Sequence, residues 1–151
     1  MDGVTETRSW RPLRLSIVAT LLLLGVQGWT GDFVNVFQTS TFSSSVNQSI
    51  GGFFQAVLGN GPALTVHGML GFLILISSIG VLAVSLRYHR RSVKIGAALG
   101  LIVTIIAGLG GYLFVLSGFS AGGNSMQMGG SYVGAFALYF ITLYYTTSRD
   151  R

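Results

Sequence analysis

Apolar residues in this chain run together in long blocks, with polar residues confined to the gaps between them. The blocks cover about 13–37, around LSIVATLLLLGVQGW, and about 62–86, around LTVHGMLGFLILISSIGVLAVSL. Two more cover about 95–117, around IGAALGLIVTIIAGLGGYLFVLS, and about 129–147, around SYVGAFALYFITLYY. A helix needs ~20 mostly apolar residues to cross the hydrocarbon of a bilayer, and each block supplies them. Between the first two blocks, Ile50, Phe53, Phe54, Val57 and Leu58 fall at i, i+3, i+4, i+7 and i+8, one face of a helix. Ser49 or Asn47 is placed to cap it. This predicts a short uncharged amphipathic helix over about 47–58 in the interface plane, with Phe53, Phe54 and Val57 toward apolar groups. Such a helix would roof whatever lies between the outer ends of the spans. Pro62 suits the first turn of the next helix, where its missing N–H costs nothing.

Charge changes the picture from four helices to an oriented set. Only 9% of the 151 residues are charged, against about 25% in an ordinary soluble domain. The charges cluster: Asp2, Glu6, Arg8, Arg11 and Arg14; Asp32 alone; Arg87, Arg90, Arg91 and Lys94; and Arg149, Asp150 and Arg151. Residues 33–86 and 95–148 carry none. All nine Lys and Arg therefore lie before the first block, between the second and third, or after the fourth. The positive-inside rule puts those three regions in the cytoplasm and the loops 38–61 and 118–128 outside. The net charge of +5 is accounted for by this asymmetry and by anionic headgroups, so it does not point to nucleic acid. The basic N-terminus followed by an apolar core imitates a signal peptide. The apolar run is too long for an h-region, and no A-x-A site follows it, so it reads as an uncleaved first helix. The expectation is one membrane domain over 1–151: an all-α integral membrane four-helix up-and-down bundle, N-in and C-in, multi-pass in the cell membrane with the lipid bilayer as its partner.

Composition restricts the chemistry. There is no cysteine, which excludes disulfides, thiolate haem ligation, iron–sulfur clusters and a covalent haem CxxCH site. Walker A and HExxH are absent, and Gly25, Gly28 and Gly31 lack the βαβ context of a dinucleotide fingerprint. Asn47-Gln48-Ser49 matches a glycosylation sequon on the outer side. Many of the 22 glycines sit inside the spans, among them the Gly96/Gly100 pair. Small residues let helix backbones approach closely in lipid; some of these could instead clear space for a flat cofactor. The two halves echo one another weakly. Gly28-Trp29 resembles Gly111-Tyr112, and His67-Gly68 resembles Met128-Gly129, as two related hairpins would produce.

Ionisable groups at membrane depth are functional candidates by default. His67 lies five residues past Pro62, about 7.5 Å along the helix, near the outer surface but within the apolar region. It is either a neutral imidazole hydrogen-bonded between helices or an axial ligand to haem iron. Asp32 either reaches water at the interface or orients His67, as carboxylates beside metal ligands do. His89, in YHRRS, reads as a solvated residue of the basic loop.

GVQGWTGDFVNVF, ALTVHGMLGFLILI and RYHRRSVK resemble small four-helix membrane proteins of uncharacterised function. The layout over 13–147 is similar to one half of the haem A synthase family, four-helix bundles with a histidine at the outer end of the second and fourth helices. The fourth helix here opens SMQMGGSY, so the resemblance implies Met128 or Met126 in place of the second histidine. The glutamate that the synthase itself carries near the first histidine is missing. The expectation is a b-type-cytochrome-like protein holding haem b near the outer leaflet for electron transfer or haem handling. His67 and Met128 would be its metal ligands. Gly28, Gly68, Gly71 and Gly111 would line the cofactor, and a membrane redox partner or a second copy of the chain would dock beside it. The alternative is an accessory or assembly protein without cofactor; a transporter, which would need broken helices and a polar midplane site, ranks third.

Overall fold

The computed structural model describes residues 9–37 and 46–147, and within them the chain is all helical. There are five helices: α1 (Arg11–Phe37), α2 (Ile50–Gly59), α3 (Pro62–Ser85), α4 (Arg91–Leu116) and α5 (Gly122–Thr147). α1, α3 and α4 are long and apolar enough to cross a membrane. α5 is as long as α4, but its first half, GGNSMQMGGSY, is much less apolar. α1 packs on α3 and α5, and α4 packs on the same two, so α1/α4 and α3/α5 are the diagonals.

Two helix starts differ from the sequence expectation. α4 begins at Arg91 rather than 95, because a charged first turn is tolerated where the helix leaves the lipid. α5 begins at Gly122 rather than 129. Its glycines suggested a loop, yet the chain reverses sooner. α4 ends in a Schellman motif, with Gly118 at φ 64, its N–H on Val115 O at 3.0 Å and the Phe119 N–H on Phe114 O at 3.0 Å. Phe119 then sits edge-on to Phe114, with centroids 5.7 Å apart.

The four long helices meet through a heptad seam. Leu13, Ile17, Thr20 and Leu24 are buried on α1, and Ile74, Ser78, Val81 and Ser85 on α3. Val93, Ala97, Gly100 and Thr104 are buried on α4, and Ala135, Tyr139, Thr142 and Thr146 on α5. Spacings of three and four residues keep one stripe of each helix facing its neighbours. The stripe is rich in small and hydroxyl residues, while large apolar residues such as Leu22 (67% exposed) and Ile76 (66%) face outward. That is the membrane arrangement: lipid is as apolar as leucine, so close approach of small residues, not hydrophobicity, selects the inside. Thr142 packs on Gly96, and the Tyr139 ring packs on Gly100. Thr20 and Ser77 share a 2.6 Å hydrogen bond between α1 and α3.

Among the described residues, Arg11, Arg14 and the basic turn at 87–94 gather at one end. Trp10 stacks on Tyr88 with centroids 4.4 Å apart, and the Tyr88 hydroxyl donates to Ser9 O at 2.8 Å. Arg14 donates to Thr146 O and Arg90 to Tyr145 O, so two guanidiniums cap the last carbonyls of α5. At the other end, α2 lies across α3 and α4. Ser49 caps it, accepting from Gly52 N at 3.0 Å, and the Thr65 hydroxyl donates to Val57 O at 3.1 Å. The face it buries is turned from the expected one. Gly52, Ala56 and Val57 are inside, Phe53 lies against Tyr112, and Phe54 is exposed while stacking on Phe72. Ile50 and Leu58 point outward, again because apolar exposure costs little beside lipid.

Candidate functional site

Between the ends of the four long helices that lie beneath α2 is a cavity of about 750 Å³ with a mostly apolar lining. That volume falls within the roughly 300–1,000 Å³ typical of small-molecule and cofactor sites. His67 of α3 and Met128 of α5 both line it, from diagonally placed helices. Its inner boundary includes Leu24, Ile74, Thr104 and Ala135, the last level of the packed seam.

The seam stops there because the next residues inward-facing on each helix are glycines or carry side chains that turn aside. A Cβ at Gly28 would lie 2.5 Å from the Tyr132 hydroxyl, and one at Gly31 would lie 2.9 Å from His67 Cε1. A Cβ at Gly68 would meet Val57 Cγ1 at 2.7 Å, and one at Gly111 would meet Met128 Sδ at 3.2 Å. Each of these glycines therefore receives a side chain from a neighbouring helix, and each of them except Gly31 was expected beside a cofactor. Gly71 leaves room for the Gln27 amide, whose nitrogen would be 3.7 Å from a Cβ there.

His67 is turned toward α1. Its Nδ1 is 3.2 Å from the Thr30 hydroxyl oxygen, and its Nε2 is 3.2 Å from the Gln27 amide nitrogen. With the amide nitrogen on Nε2, the contacts are those of a ring protonated at Nδ1. The Thr30 hydroxyl donates its one hydrogen to Gln27 O at 3.1 Å, the usual bond of a helical threonine. The Thr30 oxygen then accepts, so Nδ1 carries the ring proton. Nε2 is left with the lone pair, which accepts from the Gln27 NH2. Gln27 Oε1 is buried and has no partner among the described residues.

Asp32, expected to orient His67, does not do so. It is exposed at the rim of the cavity, and both imidazole nitrogens are taken by α1 residues one turn apart. Met126, the other thioether considered, is 80% exposed and faces away from the cavity. Met128 leans on α4 while His67 leans on α1, so the two share a cavity with their donor atoms turned toward different helices. His89 is exposed in the basic turn, as expected. Gln27, Thr30 and Tyr132 were not singled out from the sequence. Their signal was available: Gln27 and Thr30 are polar residues at i and i+3 inside a span, and Tyr132 follows Met128 by one turn.

These residues fit a haem in three respects. The cavity has the volume, His67 protonated at Nδ1 has on Nε2 the lone pair that iron ligation needs, and an Nδ1–H bond to Thr30 is the kind that steadies a ligating imidazole. Ligation would require the Gln27 amide to leave Nε2. Among the described residues no three His, Cys, Asp or Glu side chains come together as a metal cluster. Comparison with protein-family models, curated proteins and solved structures returns no match.

Proposed function

We propose that this chain is a four-span membrane protein, N-in and C-in, that binds haem b in its outer cavity as a small b-type-cytochrome-like protein. α5 counts as the fourth span because it runs 26 residues, about 39 Å, alongside α4 and α1. Its polar first half faces the cavity end, and its last turn lies among the arginines at the basic end. The positive-inside rule makes that basic end cytoplasmic. His67 Nε2 is the axial ligand, and Met128 is the candidate for the second. The iron would supply one-electron chemistry, in electron transfer or in haem handling near the outer leaflet. A membrane redox partner or a second copy of the chain would meet it there.

The observation that carries this reading is the place of His67 on the wall of a cofactor-sized cavity, with Thr30 beside Nδ1 and Gln27 beside Nε2. A ring proton on Nδ1, accepted by Thr30, leaves the Nε2 lone pair for iron. Haem loading of the purified protein tests it. A Soret band is expected in the wild type and in His89→Ala, and not in His67→Ala. One observation favours a second reading. The Gln27–His67 hydrogen bond also ties α1 to α3, which suits an accessory protein without cofactor. A colourless preparation after haem loading is the outcome that reading expects.

A further inference from the structure

His67 has two α1 partners of different strength of hold. Thr30 is anchored: its hydroxyl donates to Gln27 O and accepts from Nδ1. Gln27 is held at one end alone, its amide nitrogen on Nε2 and its Oε1 buried without a partner. A buried carbonyl left unpaired costs on the order of 1–3 kcal/mol, so this end of the amide adds nothing to its hold on Nε2. Gly71 faces the amide with no Cβ, which leaves space for it to swing. One nitrogen of the imidazole is thus locked, and the other is covered by a group that is poorly satisfied where it stands.

We infer that Gln27 is a displaceable cap on His67 Nε2 and Thr30 the positioning residue that keeps that nitrogen ready, so that the cavity takes up and gives back haem instead of retaining it permanently. This rests on the haem reading and selects haem handling over fixed electron transfer. The exchange balances simply. The Gln27 N–H leaves the Nε2 lone pair as that lone pair binds iron, and the ring proton stays on Nδ1 throughout. On release the amide returns. Because the capped state competes with the ligated one, removing the cap tightens binding by roughly the worth of one hydrogen bond, about two- to tenfold in dissociation constant.

The chain has two histidines, so 15N-histidine labelling of the haem-free protein in nanodiscs reads His67 directly, with His89→Ala assigning the other signal. The expected wild-type spectrum is a neutral ring protonated at Nδ1, with Nε2 accepting a hydrogen bond. Gln27→Leu keeps the tautomer and loses the hydrogen-bond shift on Nε2. Thr30→Val moves the ring toward the other tautomer, and Thr30→Ser restores it. In haemin titrations followed at the Soret band, Gln27→Leu and Gln27→Ala should bind about two- to tenfold more tightly than wild type. Thr30→Val should raise the midpoint potential of the bound haem, and Thr30→Ser should return it. A wild-type ring protonated at Nε2 overturns the inference. So does a Soret band with equal or weaker affinity in both Gln27 variants, which leaves the haem reading standing. A wild type that takes up no haem overturns both.

Discussion

Gly100→Ala probes the packing rule on which the bundle depends. A Cβ on Gly100 would lie 2.7 Å from Tyr139 Cζ and 2.8 Å from Cε1. Ordinary carbon–carbon contact begins near 3.5 Å, so the overlap is about 0.8 Å against the body of a ring. Tyr139 is fully buried and cannot swing into solvent, so α4 and α5 must part. Overpacking of this kind costs roughly 1–3 kcal/mol, while replacing a helical glycine by alanine returns up to about 1 kcal/mol. The net expectation is a loss of up to about 2 kcal/mol. Gly80→Ala and Gly108→Ala are the controls: nothing lies within 4 Å of a Cβ at either, so only the propensity gain remains. Reversible unfolding in mixed detergent, followed by fluorescence of Trp10 and Trp29, measures all three. Gly100→Ala matching or exceeding Gly80→Ala in stability would show that the α4–α5 seam is not close-packed as described.

Cysteine accessibility tests the orientation on a background that has no cysteine. Ser44→Cys, which lies outside the described residues, and Ser120→Cys should react with an impermeant reagent from outside, and Ser92→Cys should not; the reverse pattern inverts the topology. Gly68→Ala brings a Cβ to 2.7 Å from Val57 Cγ1 and should loosen α2, seen as faster amide exchange across 52–60 with little change in α4; unchanged exchange would mean α2 is not seated through Val57. Arg14→Gln combined with Arg90→Gln removes both guanidiniums from the α5 C-terminus and should cost about 1 kcal/mol, less at high salt. No loss at low salt would deny them a capping role.

Several features are legible in the sequence. The apolar blocks located all four long helices, one of the two cap candidates, Ser49, caps the short helix α2, and charge placement anticipated the basic end where Arg14 and Arg90 meet α5. What escaped was the inside of the bundle, for a physical reason. In water, burial selects apolar residues and leaves a periodic trace; in lipid, both faces of a span are apolar. The buried positions Thr20, Ser78, Ser85, Thr104, Thr142 and Thr146 look unremarkable in such a sequence, and the outward Ile50 and Leu58 look like core. The early start of α5 was hidden by SAGGNSMQMGG, whose glycines signal a loop in water. For the site, His67, Met128 and the four glycines Gly28, Gly68, Gly71 and Gly111 all line one cavity. The partners of His67 were not singled out, because the charged Asp32 drew attention from the neutral Gln27 and Thr30 on either side of Gly28 and Trp29.

The central claim is that the outer cavity holds haem through His67, and the reduced-minus-oxidised absorption spectrum of the haem-loaded protein addresses it most directly. The account predicts a b-type difference spectrum in the wild type that survives in His89→Ala, weakens and shifts to lower potential in Met128→Ala, and disappears in His67→Ala. A wild-type protein that stays colourless with ample haem, or a spectrum unchanged by His67→Ala, contradicts it.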